Sequence, residues 1–309
     1  MPSIIFFFGL DTLELGKPWG IAIATYLFLG GLAGGMYLIG YFMSLLKTKT
    51  EFTSAVGRFG IISSGIVLII GLLSLILDHP NVINSVVNPF LFRNLDSWLS
   101  RGSWIILFFL ILWFILLVED TGLIRISENA KKVIMPINAF LAFMVILYTA
   151  LLLRGARFVP LWMSNAIPLL FVVSGLSTGL AACLIYGIFK VRKSENLMIK
   201  ADSMLIAIEL LLVAYLIWDL GNISSNATYG FMRTGAKVSL DFILSGSLKN
   251  MFFIGFVGVG LILPLIFYAI SFIRKTEIAE ILSSISVLTG GYIFRIIIIA
   301  AAAKAIMLP

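Results

Sequence analysis

The sequence predicts an all-α polytopic membrane protein, with eight transmembrane helices in two four-helix bundles. Two features of the composition predict this fold class: 61% of the 309 residues are hydrophobic and only 12% are charged. Soluble domains are nearer half apolar and a quarter charged. The third observation is a set of eight apolar runs, each long enough for a bilayer core of about 30 Å. The polar stretches between them are too short to build a separate soluble domain.

The eight predicted spans divide the chain into two halves. They lie near residues 18–46, 56–77, 102–119, 133–153, 166–190, 202–220, 250–273 and 281–304. The earlier apolar stretch IIFFFGL is too short to span and is interrupted by Asp11 and Glu14, so residues 1–17 are predicted to form an interfacial arm. The predicted bundles then comprise residues 18–157 and 158–309.

An even number of spans places both termini on one side of the membrane, here named face A. The opposite side, face B, has the short connections, and these hold more than half of the 22 lysines and arginines. Positive charge in short loops marks the cytoplasmic side, so face A and both termini are predicted to be outside the cell membrane. Most of the six tryptophans fall near face A. An interfacial aromatic belt is one explanation, and a working surface that lines a site or docks a partner is the other.

The scarcity of metal ligands limits the redox chemistry of this protein. One cysteine, Cys183, excludes an internal disulfide and any cysteine-ligated iron–sulfur cluster. One histidine, His79, excludes a bis-histidine haem within the sequence. Electron chemistry must therefore use a mobile organic cofactor or the metal centres of a partner.

Glycine pairs predict close helix packing and indicate an internal repeat. Spans one and five contain YLFLGGLAGGMYLIG and LLFVVSGLSTGLAACLIYG, in which Gly31 and Gly35 match Gly175 and Gly179. Small residues four apart let helix backbones approach closely in lipid. The match indicates a duplicated four-helix unit, and chance similarity between glycine-rich helices is the alternative.

Two charges fall inside predicted spans: Glu209 in span six and Arg295 in the middle of span eight. A lone charge at mid-membrane costs about 2.5–3.5 kcal/mol on insertion scales, so each should face the bundle interior, a partner or water. A satisfied interhelical hydrogen bond would explain either residue, and a carboxylate can also relay protons. Arg295 is predicted about 10 Å nearer face A than Glu209, so no direct pair is expected.

Polar and aromatic side chains converge near face A from the four spans of the first half. They are Lys17 and Trp19 at the start of span one, Asp78 and His79 after span two, Ser103 and Trp104 in span three, and Tyr148 and Arg154 at the end of span four. Such a pocket suits a quinone, which has a flat apolar ring, two carbonyls and two protons per reduction. His79 can titrate near neutrality, and Asp78 can orient it or take the proton onward. The alternative is that Asp78 and His79 merely end a helix before a loop.

An ordered set of phrases along the sequence resembles the NrfD-type membrane subunits of polysulfide, nitrite, dimethyl sulfoxide and related respiratory oxidoreductases. The phrases include PWGIAIATYLFLGGLAGG, YTALLLRGARFVPLWMSNAIPLLFVVSGLSTG, AIELLL and LTGGYIFR. The resemblance implies eight or more helices without bound haem. It also implies quinone binding near a ferredoxin-like iron–sulfur subunit, which relays electrons to or from a molybdopterin or other catalytic subunit.

The resemblance also assigns residues. The first-helix tryptophan of the family corresponds to Trp19, the second-helix acid to Asp78, the fourth-helix tyrosine to Tyr148, and the sixth-helix glutamate, linked to proton movement, to Glu209. One position departs from the family pattern. Gly20 stands where relatives often have a histidine after the PW pair, which puts the quinone ligands in doubt.

The leading prediction is a quinone-interacting membrane anchor of a respiratory oxidoreductase. Asp78 and His79 would exchange protons, Tyr148 would donate to a quinone carbonyl, and Trp19 and Trp104 would form apolar walls. One alternative is a proton or ion conduit lined by Glu209, Arg295 and Thr289. Another is a purely structural anchor.

Overall fold

The computed structural model describes residues 20–78, 97–155, 159–192, 194–274 and 276–306, without the side chains of 77–78 and 303–306, and every regular element in these ranges is helical. The helices are α1 (Ile21–Leu45), α2 (Glu51–Asp78), α3 (Trp98–Asp120), α4 (Glu128–Arg154), α5 (Pro160–Met163), α6 (Ala166–Val191), α7 (Asn196–Asn226), α8 (Gly230–Leu244), α9 (Met251–Arg274) and α10 (Glu277–Ile306). Eight of these described helices are long and apolar enough to cross a membrane. The predicted all-α polytopic class is confirmed.

Several helices begin before the apolar runs that predict them. Helix α4 begins at Glu128, where the Ser127 side chain accepts a hydrogen bond from the Ala130 backbone N–H (3.2 Å). An N-terminal cap and an acid in the first turn both stabilise a helix start. A search for apolar runs follows the hydrocarbon core, whereas the helix itself continues into the polar interface.

Helix α8, of 15 residues, lies between predicted spans six and seven, where no helix was predicted. It is too short to span, and it is amphipathic: Ala236, Ser239 and Ile243 are buried, while Phe231 and Lys237 are exposed. Its inward residues pack against α7 and α10. A scan for runs of 20 apolar residues cannot detect a helix with one polar face.

The centre of the molecule is a close crossing of α1 and α6. A Cβ atom added to Gly35 would overlap the Gly175 backbone, and one added to Gly179 would overlap the Gly35 backbone. The glycines that match between the two halves therefore pack directly against each other, as GxxxG-type contacts do in membranes. Helices α1–α4 contact one another in a ring, and so do α6, α7, α9 and α10. The division into two separate bundles stays a prediction.

Helix α9 changes its winding halfway. Its first part, Met251–Ile262, is a π-helix, and Leu263–Arg274 is α-helical. Gly260 lies against Gly290 of α10, where an added Cβ would stand 2.6 Å from the Gly290 Cα. The backbones of the two helices are therefore in contact. This contact brings polar residues of the α-helical part of α9, such as Ser271, against α10.

Candidate functional site

The structure describes only part of the predicted face-A site. Asp78 is the last residue of α2, and its side chain, like the whole of Lys17, Trp19 and His79, lies outside the described residues. The roles predicted for these four residues stay predictions. The remaining members of the site are Ser103 and Trp104 on α3, and Tyr148 and Arg154 on α4.

Tyr148 is buried among the first four helices. Its ring lies over Gly102 of α3, where an added Cβ atom would overlap the ring carbons, so glycine at that position makes room for the phenol. The Tyr148 hydroxyl lies close to the hydroxyl of Tyr26 on α1, and we name these two side chains the phenol pair. Each phenol can donate one hydrogen bond and accept others, so the pair can donate to a further acceptor.

Tyr26 is absent from the residues predicted from sequence, because that prediction considers only the ends of the spans. Helical spacing could have found it. Tyr26 and Gly30 are four residues apart on one face of α1, and Gly30 faces Thr149, the neighbour of Tyr148, with 3.1 Å between an added Cβ and the threonine methyl. The same face of α1 therefore meets α4 at both positions.

Ser103, Trp104 and Arg154 are positioned by other contacts. The Ser103 hydroxyl donates to a backbone carbonyl of its own helix (2.9 Å). The Trp104 ring packs against Phe108, with 5.9 Å between ring centres. Arg154 donates from Nη2 to Asn165 Oδ1 (3.0 Å), which ties the end of α4 to the start of α6. Their predicted part in quinone binding is not tested by these contacts.

Arg295 lies in the middle of α10 and is 1% exposed. Its guanidinium lies over the Phe171 ring at 4.1 Å and near the Phe294 ring at 5.0 Å, so two aromatic faces stabilise the cation. Nη1 donates to Ser174 Oγ (3.1 Å), and Nη2 lies 3.4 Å from where a Cβ on Gly31 would stand. Nε has no hydrogen-bond partner among the described residues. The buried cation therefore keeps unused donor capacity.

Glu209 of α7 supplies the opposite charge. It is 4% exposed and attracts Arg295 electrostatically. The Ser174 hydroxyl lies within reach of the Glu209 carboxylate while it accepts the bond from Arg295. No hydrogen bond joins Glu209 directly to Arg295 in the described part of the chain, in line with the different depths expected from sequence. Ser174 therefore stands between two buried charges of opposite sign.

Asp202, which the sequence prediction omits, is fully buried two turns from Glu209 toward face B. Its carboxylate accepts hydrogen bonds from the hydroxyls of Ser177 (2.5 Å) and Tyr268 (2.6 Å). The signal was present in the sequence: residues seven apart lie two turns apart on one helix face. Asp202 opens the predicted span six, however, and an acid at a span end is normally interfacial. Only the three-dimensional packing shows that it points inward.

A second omitted acid, Glu280, lies nearer face B on α10. It is 3% exposed, and its Oε1 accepts from the Ser271 hydroxyl of α9 (2.5 Å). Glu280 Oε2 and Ser284 Oγ, one turn apart, have no hydrogen-bond partner among the described residues. Ser284 lies beside Tyr268, so the surroundings of Glu280 adjoin those of Asp202.

Together these groups form what we name the polar series. In order from face B it comprises Glu280 with Ser271, Asp202 with Ser177 and Tyr268, and Glu209 with Ser174 and Arg295. Beyond Glu209 the buried residues of α7 toward face A are Val213, Leu216 and Leu220. Thr289, predicted to line a path, is instead exposed and bonded to a backbone carbonyl of its own helix (2.8 Å). The series therefore runs from face B to mid-membrane and ends at Arg295.

Helix α1 separates the phenol pair from the polar series. One face carries Tyr26 and Gly30 toward α4, and the other carries Gly31 beside Arg295. On that second face the Thr25 hydroxyl lies 3.0 Å from the Tyr292 hydroxyl of α10. The two candidate sites thus share a single helix as their common wall.

The fold and these sites define the general class of this protein. The protein is a multi-pass helical membrane protein with acids, an arginine and a phenol pair in its interior, and ionisable groups at that depth mark functional sites by default. The particular family follows from sequence comparison. The family described as "Polysulphide reductase, NrfD" matches residues 13–306, and the protein belongs to it. The resemblance inferred from the sequence phrases is confirmed.

Two relatives show how far the likeness extends. The protein is 26% identical to the C subunit of the polysulfide reductase of Wolinella succinogenes over 268 residues, which covers 80% of this sequence and 82% of that subunit. It is 26% identical to a protein NrfD homolog of Haemophilus influenzae over 273 residues, again covering 80% of this sequence and 82% of the relative. The similarity therefore extends over most of both halves.

Proposed function

We propose that this protein is the quinone-interacting membrane anchor of a respiratory oxidoreductase, and that it exchanges electrons between the quinone pool and an iron–sulfur partner subunit. Family membership supports an oxidoreductase subunit, and the name of the W. succinogenes relative, one lettered component of a reductase, supports a complex of several subunits. The observation that carries the quinone assignment is the Tyr26–Tyr148 phenol pair buried beside Gly102.

The proposed site combines hydrogen-bond donors with apolar rings, which is the chemistry that a quinone requires. A bound quinone supplies a lipid-soluble couple that transfers two electrons and two protons. A hydroxyl of the phenol pair donates to a carbonyl oxygen, and the Trp104 ring, which packs against Phe108, supplies an apolar wall. Asp78 and His79 then exchange protons at the end of α2, with Lys17, Trp19, Ser103 and Arg154 around them.

The proposed partners follow from the scarcity of cysteine and histidine in this sequence, which has one of each. A ferredoxin-like iron–sulfur subunit docks at face A, accepts or returns the electrons, and connects to a molybdopterin or other catalytic subunit. The protein lies in the cytoplasmic membrane, with face A and both termini outside. The terminal substrate belongs to the catalytic subunit.

The test uses the purified complex and two donors, a quinol and an artificial dye that reduces the iron–sulfur subunit directly. Tyr148→Phe should lower quinol-linked turnover by about tenfold, because one donor to the carbonyl is lost. Asp78→Asn should lower it by about 10²-fold or more, the range for a lost proton-transfer group. Dye-linked turnover should not change in either variant.

Tyr229→Phe is the matched control, since Tyr229 is 67% exposed at the start of α8. Unchanged quinol turnover in Tyr148→Phe and Asp78→Asn would reject the quinone site. A complex that carries no quinone and resists quinone-analogue inhibitors would instead favour the purely structural anchor.

A second candidate function, proton movement, is favoured by the polar series. Three acids lie in order from face B to mid-membrane, and each has a hydroxyl beside its carboxylate. Proton-relaying carboxylates in membranes occur in such arrays. Arg295 closes the series next to α1, where quinone chemistry on the other side of the helix could drive the transfer.

Vesicles containing the purified complex test this second function. Quinol is added, and the number of protons moved per electron is measured with a pH indicator. Glu209→Gln and Asp202→Asn should lower this ratio while electron transfer continues, and Asp241→Asn, an exposed acid on α8, is the control. A wild-type ratio in both variants would exclude the polar series as a path.

A further inference from the structure

A cavity of about 280 Å³ opens at the face-B end of the first four helices, opposite the phenol pair. Its lining comes from three helices: Arg58, Ile61 and Ile62 of α2, Leu116, Glu119 and Asp120 of α3, and Lys131 and Met135 of α4. Four of these residues are charged and four are apolar. The proposed quinone chemistry and the polar series use none of them.

The charged rim consists of two ion pairs. Arg58 donates from Nε to Asp120 Oδ1 (2.7 Å) and from Nη2 to Oδ2 (3.0 Å), a bidentate arrangement that fixes both planes. Lys131 Nζ lies 2.6 Å from Glu119 Oε1 and 3.6 Å from Oε1 of Glu128, an exposed acid outside the lining. The four charged lining residues therefore carry two positive and two negative charges, and their net charge is zero.

Each ion pair leaves hydrogen-bonding capacity. A guanidinium has five N–H donors, and the bonds to Asp120 use only Nε and Nη2 of Arg58. A carboxylate has about four acceptor positions, so Asp120 and Glu119 can each accept further donors. The rim can thus bind an anionic oxygen on its Arg58 and Lys131 side and a cationic N–H group on its carboxylate side.

The floor of the cavity is apolar and firmly supported. Trp113 lies behind it, with its indole N–H donating to the Ile62 carbonyl oxygen (2.9 Å) and its ring filling the space over Gly65. Toward the bilayer middle, Ile66 lies one turn beyond Ile62 on α2 and is 48% exposed. A charged rim above an apolar, lipid-facing surface is the arrangement that an amphipathic lipid requires.

We propose that this cavity binds a phospholipid whose headgroup carries both a phosphate and a primary ammonium, of the phosphatidylethanolamine kind. The phosphate lies against Arg58 and Lys131, and the ammonium donates to Asp120 and Glu119. An acyl tail follows the exposed side chain of Ile66. A purely anionic headgroup would place its charge beside two carboxylates. A choline headgroup has no N–H to donate, so the neutral rim selects the primary ammonium.

The experiment measures lipid retention by the purified complex. Native mass spectrometry is run after exposure to equal amounts of dioleoyl phosphatidylethanolamine, phosphatidylcholine and phosphatidylglycerol. The wild type should retain the ethanolamine lipid about tenfold better than either of the others, as the loss of charge-assisted bonds predicts. The double variant Glu119→Gln with Asp120→Asn should remove this preference. Glu51→Gln, an exposed acid on α2 outside the cavity, should keep it.

A second variant keeps the test decisive if the double variant does not assemble. Met135→Trp fills the floor and leaves all four charges in place, and it should abolish retention of the ethanolamine lipid. Equal retention of the three lipids by the wild type would overturn the proposal. So would unchanged selectivity in Met135→Trp, or displacement of the lipid by a soluble quinone analogue, which would make the cavity a quinone site.

Discussion

The two halves of the protein bury polar groups in different ways. In the first half the interior holds neutral phenols, Tyr26 and Tyr148, packed beside glycine. In the second half it holds ions, with Glu209 and Arg295 near mid-membrane and Asp202 nearer face B. Neutral hydroxyls can exchange one hydrogen bond for another at little cost, whereas buried charges depend strongly on each other. This difference agrees with the proposed function, in which the first half binds the quinone and the second half moves protons.

The largest expected effect tests the dependence between charges. Arg295→Leu should lower the free energy of unfolding by about 3–5 kcal/mol, because Glu209 is left as an uncompensated buried charge. Arg58→Leu is the contrast, since that arginine is 70% exposed and its pair should contribute about 0–1 kcal/mol. Both are measured as thermal or denaturant unfolding of the purified complex.

The double variant Arg295→Leu with Glu209→Gln sharpens this test. If the charges depend on each other, removing both should cost less than the sum of the single losses. Additive losses would show that each charge is held by its own surroundings, and the contrast between the halves would fail.

The second effect concerns the room for the phenol pair. Gly102→Ala should destabilise the protein by about 1–3 kcal/mol, because the new methyl group overlaps the buried Tyr148 ring and overpacks the site. It should also lower quinol-linked turnover more than dye-linked turnover. Gly221→Ala is the control, since an added Cβ there meets nothing within 4 Å. Equal behaviour of the two variants would contradict the described packing.

The third effect concerns the support of Asp202. Tyr268→Phe removes one of its two hydroxyl donors, and a bond to a charged group contributes about 1.5–3 kcal/mol. Proton transfer per electron should fall, while quinol oxidation should not. A variant with unchanged stability and unchanged proton stoichiometry would place Tyr268 outside the working part of the polar series.

The smallest effect tests the contact across the two halves. Thr25→Val removes the hydroxyl pair with Tyr292, a partly buried neutral bond that contributes about 0.5–1.5 kcal/mol. Thr234→Val is the matched control on α8, where the hydroxyl bonds only to its own helix. If the bond joins the halves, Thr25→Val should also alter the ratio of protons to electrons, and Thr234→Val should not.

Much of the fold was predictable because each transmembrane helix is a continuous apolar segment, which can be recognised from its local composition alone. Apolar length identified the eight spans, and the rarity of charge inside them identified Glu209 and Arg295 as buried ions. The matched glycines Gly35 and Gly179 correctly indicated close packing, although nothing in the sequence showed that they pack against each other. Each of these inferences needs only one helix at a time.

The residues that the sequence prediction missed can be recognised only from their contacts with other helices. Asp202 and Glu280 lie near span ends, where acids are usually solvated, and only the serines and tyrosine of adjacent helices show that they are buried. Tyr26 was missed because the prediction considered only the ends of the spans, and its neighbour Tyr148 lies on another helix. Thr289 was wrongly placed on the path, since the rotation of α10 about its axis is fixed by contacts with α6 and α9 rather than by residue type.

The position of α1 has a thermodynamic consequence. An α-helix is only about 10 Å across, so an occupant on the Tyr26 side and the charge state on the Gly31 side act on the same rigid body. If a bound quinol displaces α1, the environment of Arg295 must change. By thermodynamic linkage, a change in charge near Arg295 then alters quinol affinity by the same coupling free energy. Quinol affinity should therefore depend on the protonation of acids that the quinol never touches.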